Sequence, residues 1–399
     1  MNIRILWIAV MAAAVLFVAA GCGGSDSNGG GGSGQVKPGS DAKPLAKLGA
    51  PEGQLNIIAW AGYAEDGSTD PKVDWVTPFE KETGCQVSVK TGNTSDEMVT
   101  LMRTGRYDGV SASGDATLRL IAGGDVAPVN TDLVPNYKDV FDGLKNQPFN
   151  SVNGQMYGIP HGRGANILMW RSDKITTPLD SWAAVFDQGS QYKGKVTAYD
   201  SPIYIADAAL YLKATKPDLK IANPYELDQK QFDAAVNLLK QQRANIGEYW
   251  SDYTKEQAAF ANGNSQVGTT WQVIANLLEA DKVHIKTTLP KEGATGWSDT
   301  WMISSKAKHP NCMYLWMNHI ISPKANAQVA EWFGEAPSNR KSCALTAVKD
   351  HCKVFHADDQ AYFDKVAFWT TPRKDCGDGR GAVCKDYSDW VQAWTEIKG

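Results

Sequence analysis

Short apolar runs alternate with segments whose apolar residues have helical spacing along most of the chain. Gly84 and Gly105 each stand where a segment with helical spacing ends, as glycine does after many helices. A capping residue, Ser95 or Asp96, precedes the second such segment. The predicted strands are 55–60, 86–89, 107–110, 195–199 and 266–270, and the predicted helices are 73–83, 95–105, 205–214, 224–243 and 254–262.

The order strand, helix, strand between residues 55 and 110 predicts a parallel sheet with right-handed crossovers. The same order returns after residue 195. The stretch 51–399 is long enough for two domains that each have a core. We therefore expect an α/β protein with two lobes.

The N-terminal residues have the pattern of an export signal. Arg4 precedes an apolar run over 5–20, and small residues lead to Cys22, although Ala19 stands where a lipid-attachment signal usually has Leu. We interpret 1–21 as a signal peptide and Cys22 as a lipidation site, with plain secretion or an uncleaved anchor as alternatives. The polar, Gly-rich stretch 22–50 then predicts a flexible tether. We expect the protein in the periplasm or on the outer face of the cytoplasmic membrane, held to the membrane through lipid only.

Composition and motifs exclude several classes of function. Lys and Arg number 40 against 44 Asp and Glu, a net charge of −4, so no basic field for nucleic acid is expected. Patterns typical of hydrolases, metalloproteases and nucleotide-binding proteins are absent, and the 6 histidines lack the spacing of metal ligands. We expect no catalytic site, no metal and no cofactor.

The seven cysteines divide into Cys22 and six others, an even number in an oxidising compartment. Two pairs are close in sequence and predict disulfides that close short loops. Cys85 and Cys312 would then pair across the fold, with buried free thiols as the alternative. The two short-loop pairs are Cys343 with Cys352 and Cys376 with Cys384.

Several tryptophans stand at the ends of predicted strands beside polar residues. They include Trp60, Trp271 and Trp297, and Asp299 follows the last of these closely. Ligands of open α/β sheets lie at the carboxyl ends of strands. Aromatic rings with carboxylates at the corners are suited to cations, whereas a single tryptophan is more often part of a core.

Several short segments follow one another in a definite order: Ile58–Tyr63, Phe79–Gly84, Arg106–Val110, Tyr157–Pro160, Ser181–Trp182 and Pro290–Gly293, followed by Trp297 and Asp299. In this order they resemble the spermidine/putrescine-binding proteins of bacterial ABC importers. The resemblance implies a type II-like periplasmic-binding-protein fold, in which two lobes close on a ligand by a hinge. It also implies an ABC permease as the membrane partner, and we expect a monomer. The implied lobes are 51–161 with 298–336 and 162–297 with 337–399.

In that family a small cationic amine lies between aromatic rings, with carboxylates at its ammonium groups. The resemblance transfers these roles to aromatic walls, two carboxylates and a hydroxyl. The matching positions are Trp60, Tyr63, Trp271 and Trp297 for the walls, Asp200 and Asp299 for the carboxylates, and Ser113 for the hydroxyl.

The chain departs from the family at three positions. Ile203 replaces a glutamate, Glu335 replaces a tyrosine, and Asp115 stands where an aromatic residue is common. Because acidic residues are displaced rather than lost, we include Asp115 and Glu335 among the predicted ligand contacts. Asp200 could instead cap a helix, and Asp299 could cap a turn.

Three alternatives remain open from the sequence. Arg163 could clamp the carboxylate of an amino acid or γ-amino acid, or could form a salt bridge on the surface or between the lobes. An envelope enzyme acting on polysaccharides would also use acidic residues and tryptophans. A structural or adhesion lipoprotein would neither bind a small ligand nor turn one over.

Overall fold

The computed structural model describes residues 37–187 and 189–399. The predicted signal peptide, the predicted lipidation site Cys22 and residues 22–36 of the predicted tether lie outside the described residues. The strands of the described part are β1 (Gln54–Ala59), β2 (Gln86–Thr91), β3 (Gly109–Ala112), β4 (Val126–Ala127), β5 (Ser151–Val152), β6 (Gln155–Met156), β7 (Gly158–Pro160), β8 (Gly162–Ala165), β9 (Ile167–Arg171), β10 (Val196–Tyr199), β11 (Ile246–Trp250), β12 (Val267–Thr270), β13 (Ile285–Thr288), β14 (Ala294–Trp297), β15 (Thr300–Ser304), β16 (Ala336–Pro337) and β17 (Val366–Phe368).

Helices connect most of these strands. The α-helices of the same residues are α1 (Val76–Thr83), α2 (Ser95–Arg103), α3 (Gly114–Ala122), α4 (Ile205–Thr215), α5 (Gln229–Gln242), α6 (Tyr253–Ala261), α7 (Gln272–Ala280), α8 (Pro310–Ile320), α9 (Pro323–Phe333), α10 (His351–Val354), α11 (Gln360–Phe363) and α12 (Tyr387–Lys398).

Helix starts depart from the sequence prediction where another residue makes the cap. Thr94, rather than Ser95 or Asp96, caps α2, since its hydroxyl accepts a hydrogen bond from the Glu97 amide. Asp228 begins α5 through a capping box, so this helix starts after Pro224 rather than at it. Strand β11 was not predicted.

The two large sheets define two lobes. The first sheet has the order β2-β1-β3-β15-β4, with β7 paired to β15, and the second has the order β11-β10-β12-β9-β13. Strands β1, β2 and β3 are parallel, as are β10, β11 and β12. The strands predicted to be parallel are parallel, whereas β15 and β9, which that prediction did not cover, run antiparallel to their neighbours.

Alternation along β1 explains how the first sheet is covered. Leu55 and Ile57 point into one apolar core, and Ile58 points into another on the opposite face. The second sheet has a core of its own, to which the C-terminal helix α12 contributes Trp390 and Trp394. The first sheet is therefore covered on both faces, and the second sheet packs on a core of its own.

The chain crosses between the two large sheets at a smaller sheet of order β16-β8-β14-β17. It leaves the first sheet after β7 and passes along β8, and it returns along β14 to β15. The lobe boundaries at 161 and 297 stay a prediction. Part of the segment assigned to the second lobe packs on the core of the first, including Cys343, Cys352 and Phe355.

The structure contains the disulfides Cys85–Cys312, Cys343–Cys352 and Cys376–Cys384 rather than free thiols at these positions.

Residues 39–49 of the predicted tether lie against the first lobe, so the prediction is corrected there. Three hydrogen bonds hold this segment, from the Gly39 amide to the Ile121 carbonyl (2.9 Å), from Asn130 to the Leu45 carbonyl (3.1 Å) and from the Gly49 amide to Asn311 (2.6 Å).

Candidate functional site

A cavity of about 450 Å³ lies where the carboxyl ends of the parallel strands of both lobes meet. Ser113 follows β3 on the first lobe, and Trp271 follows β12 on the second. Neither lysine nor arginine is among the described residues that line it. The aromatic lining residues are Trp60, Tyr63, Tyr199, Tyr253, Trp271, Trp297, Phe333 and Trp369.

Asp299 forms the anionic floor of the cavity. It lies in the short link between β14 and β15, where the chain returns to the first lobe. The Tyr63 hydroxyl donates to its Oδ2 at 2.7 Å, and the Ser113 hydroxyl donates to its Oδ1 at 2.5 Å. The carboxyl group is thus held by two neutral donors and faces no cationic side chain of the described residues, contrary to the alternative that it only caps a turn.

Burial governs the ionisation of the Asp299 carboxyl group. Asp299 is 4 % exposed, and burial raises its pKa to about 6, partly offset by the two hydroxyl donors. Burial, together with the nearby Asp299 and Glu335, also raises the pKa of Tyr63. A cation entering the cavity would meet a carboxylate whose charge is poorly compensated by the protein.

The aromatic side chains form connected walls rather than isolated rings. Tyr199 stacks on Trp369 with ring centroids 5.5 Å apart, and Trp271 meets Trp297 edge-on at 6.3 Å. The Trp271 indole donates to Asn166 Oδ1 at 2.9 Å, which fixes the plane of its ring. Such faces are suited to methylene chains and to ammonium groups.

Six of the predicted ligand contacts line the cavity, and three do not. The six are Trp60, Tyr63, Ser113, Trp271, Trp297 and Asp299. Asp115 is buried beside α2, where it accepts a hydrogen bond from the Ser95 hydroxyl at 2.9 Å. Burial raises the pKa of Asp115 to about 6.

Asp200 follows β10 as expected but turns away from the cavity. Its carboxylate accepts hydrogen bonds from Lys398 Nζ at 2.7 Å and from the Trp394 indole at 3.0 Å. It caps no helix either, because Ser201 caps the short 3₁₀ turn that follows. The prediction of a ligand contact at Asp200 is corrected by these partners, which both lie on α12.

Glu335 is fully buried near Asp299 and does not line the cavity. Its Oε1 is 3.5 Å from His161 Nε2, and neither of its carboxyl oxygens accepts a hydrogen bond from the described residues. The Trp301 indole donates to His161 Nδ1, so the ring proton of a neutral His161 is on Nε2, facing Glu335. Burial raises the pKa of Glu335 well above its ordinary value and lowers that of His161 to about 3, which favours two neutral groups.

Arg163 does not line the cavity that holds Asp299. It is buried in the crossover strand β8, where it donates to the Ala357 carbonyl at 3.0 Å and lies over the Phe363 ring at 3.6 Å. It therefore offers no clamp for a carboxylate among the aromatic walls, and it forms no surface salt bridge with a described residue.

Sequence reasoning missed several lining residues, among them Asn93, Tyr199, Asp252, Phe333 and Trp369. Asp252 follows a strand as Asp299 does, but the sequence pattern does not indicate β11. Trp369 comes to the cavity from the C-terminal part of the chain, and no local pattern indicates it. Within the described residues no group of His, Cys, Asp and Glu could hold a metal ion, and no helix is long and apolar enough to cross a membrane.

This geometry defines a two-lobed binding protein, and comparison with known proteins places the chain in a family. Residues 74–356 match the family model of bacterial extracellular solute-binding proteins, and the chain belongs to that family. The predicted periplasmic-binding-protein fold is confirmed.

Individual relatives are similar over most of their length. The chain is 27 % identical over 294 residues to the putrescine-binding periplasmic protein SpuD of Pseudomonas aeruginosa, covering 69 % of this chain and 76 % of the relative. It is 25 % identical over 299 residues to the spermidine/putrescine-binding periplasmic protein of Escherichia coli, covering 72 % and 82 %. Among solved structures, the spermidine/putrescine ABC transporter substrate-binding protein PotD of Streptococcus pneumoniae superposes with a TM-score of 0.67 at 19 % identity, covering 87 % of this chain and 99 % of that one.

Proposed function

We propose that this protein binds a small cationic amine of the polyamine class and delivers it to an ABC permease. The observation that carries the proposal is Asp299, a buried carboxylate in an aromatic cavity, which no lysine or arginine among the described lining residues neutralises. The relatives are putrescine-binding and spermidine/putrescine-binding proteins, which supports the same class of ligand.

An ammonium group is suited to the position next to Asp299 for a simple electrostatic reason. Taking the amine out of water costs free energy, and a partly desolvated carboxylate with aromatic faces around it offsets that cost. The ligand would bind the ionised form of Asp299 and so lower the pKa of its carboxyl group.

We also infer that binding occurs without turnover and that the protein acts as a monomer held to the membrane through lipid at Cys22. The family match supports the first inference, since its description is that of a solute-binding protein. The N-terminal sequence pattern supports the lipid anchor. A mass measurement of the N-terminal peptide of the exported protein would test it, and an unmodified cysteine would contradict it.

Calorimetric titration of the purified protein with putrescine, spermidine and γ-aminobutyrate tests the proposed ligand class. We expect stoichiometric binding of the amines and recovery of the ligand unchanged. A bound amine at a hundred times its dissociation constant should raise the free energy of unfolding by about 2.7 kcal/mol. Binding of γ-aminobutyrate alone would contradict the proposal, and chemical conversion of a ligand would indicate an enzyme.

A further inference from the structure

A chain of buried hydrogen bonds leads from the Trp271 indole away from the cavity. The indole nitrogen donates to Asn166 Oδ1 at 2.9 Å, and Asn166 Nδ2 donates to Thr295 Oγ1 at 2.7 Å. The Thr295 hydroxyl donates in turn to Asp207 Oδ1 at 2.9 Å. Asn166, Thr295 and Asp207 are all buried, and none of them lines the cavity. Any effect of these three residues on a ligand must therefore be indirect.

The hydrogen-bond chain ties the Trp271 ring to the crossover between the lobes. Asn166 lies between β8 and β9, and Thr295 lies in β14, so both belong to the segments that pass between the two large sheets. Their main chains are also joined, since the Asn166 amide donates to the Thr295 carbonyl at 2.9 Å. Asp207 lies in the first turn of α4. The plane of the ring is thus set from the crossover as well as from β12, which the ring follows.

The chemistry of donors and acceptors permits this chain in one direction only. An indole nitrogen donates but cannot accept, so Asn166 must turn its oxygen to Trp271 and its nitrogen to Thr295. The Thr295 oxygen accepts from that nitrogen, and its single hydrogen then needs an acceptor on the far side. Asp207 Oδ1 is this acceptor when the carboxyl group is ionised, and equally when a proton is on Oδ2. The chain therefore depends on an oxygen atom at Asp207 rather than on its charge.

We propose that Thr295 and Asp207 are positioning residues that act on a bound amine through the Trp271 ring. An aromatic ring attracts a cation over its face but not at its edge, so the tilt of the ring affects its contact with the ligand. The hydrogen-bond chain holds the ring at one tilt. The inference deepens the proposed function and rests on it, because it places control of amine affinity in residues outside the cavity.

Thr295→Val tests the chain, because it keeps the approximate shape of the side chain and removes the hydroxyl group. Asn166 Nδ2 then loses its acceptor, and Asp207 Oδ1 loses its donor. We expect the affinity for putrescine, measured by calorimetric titration, to fall by roughly three- to tenfold. Thr295→Ser restores the hydroxyl group and should recover most of the affinity. Affinity unchanged in Thr295→Val would overturn the proposal while leaving the proposed function intact.

A double-mutant cycle with Trp271→Phe separates positioning from a general loss of structure. Phenylalanine has no N–H group, so the chain cannot act on its ring. Trp271→Phe should weaken putrescine binding by itself, and adding Thr295→Val should then change the affinity by no more than about twofold. A further loss in the double variant as large as that in Thr295→Val alone would contradict the proposal.

Two substitutions of Asp207 distinguish the hydrogen bond from the charge. Asp207→Asn keeps an oxygen acceptor, so putrescine affinity should stay within about twofold of the unmodified protein. Asp207→Leu removes the acceptor and should weaken binding as much as Thr295→Val does. An equally large loss in Asp207→Asn would assign the effect to the charge of Asp207 and would rule out the chain.

The matched control is Thr197→Val in the same lobe. The Thr197 hydroxyl donates to the buried carboxyl group of Glu256 at 3.1 Å, and neither residue lines the cavity. This variant should leave putrescine affinity within about twofold of the unmodified protein. Equal losses in Thr197→Val and Thr295→Val would show that the effect does not depend on the chain. If the unmodified protein binds no amine, the proposed function fails, and the inference fails with it.

Discussion

Asp200 and Asp299 follow strands in different lobes, and only one of them lies in the cavity. Asp299 is enclosed by Tyr63 and Ser113, two neutral donors, and its charge has no cationic partner within the part of the chain that the structure describes. Asp200 already has a cation, Lys398, at 2.7 Å. The comparison shows that a strand-end position brings a carboxylate to the edge of a sheet, whereas the packing around it decides whether a ligand can use its charge.

The largest effect is expected from Asp299→Asn. The substitution keeps the shape of the side chain, and the two hydroxyls can rotate to suit the amide, so the fold should persist. Removing the charge opposite a bound ammonium should weaken amine binding by about 2–5 kcal/mol, or roughly 30- to several-thousandfold. Calorimetric titration with spermidine measures this loss. Affinity within twofold of the unmodified protein would remove Asp299 from the site.

The next expected effect is a pH dependence of amine affinity that arises from the titration of Asp299. Burial raises the pKa of this carboxyl group to about 6 in the free protein, so its anionic form is lost as the pH falls through that value. Amine affinity should weaken by up to about tenfold for each pH unit below 6 and level off above it.

The free protein should respond to pH in the opposite sense. A raised pKa means that protonation of Asp299 favours the folded state, so this contribution to stability is complete below the ordinary pKa near 3.8 and is lost as the pH rises through about 6. Thermal unfolding with and without ligand, for the unmodified protein and Asp299→Asn, separates the two trends. If the pH profile of affinity is the same in Asp299→Asn, another group is responsible.

A smaller loss is expected when one aromatic face is removed. Trp60→Leu keeps apolar bulk but removes a ring face. The Trp60 indole has no hydrogen-bond partner among the described residues, so the substitution leaves no polar group there without its partner. Amine binding should weaken by about 0.5–2 kcal/mol. The control is Trp332→Leu, a partly exposed tryptophan outside the cavity. Equal losses in both variants would show that the effect is not local to the site.

The smallest effect on binding is expected from Asp200→Asn. This variant loses the ion pair with Lys398, a partly exposed pair, which should lower the free energy of unfolding by about 0–1 kcal/mol. Amine affinity should stay within about twofold of the unmodified protein. A loss comparable to that of Asp299→Asn would restore Asp200 to the site and would mean that α12 moves when the ligand binds.

Much of the fold could be predicted from local patterns. Strand β1 and helices α1 and α4 lie close to their predicted bounds because apolar spacing and terminal glycines act over a few residues. Strand β11 was missed, and with it Asp252, because the sequence Ile246–Trp250 has no clear alternation of apolar and polar residues.

The sequence alone determined the residue types available for a site: tryptophans and acids at strand ends, and an even set of cysteines beyond Cys22. Tertiary structure decided which of these residues meet. Asp299 joins Tyr63 and Ser113 across 236 and 186 positions of the chain, while Lys398 reaches Asp200 across 198. Local sequence patterns encode helices and strands because their hydrogen bonds are local, whereas the partner of a charged side chain depends on which distant elements pack beside it.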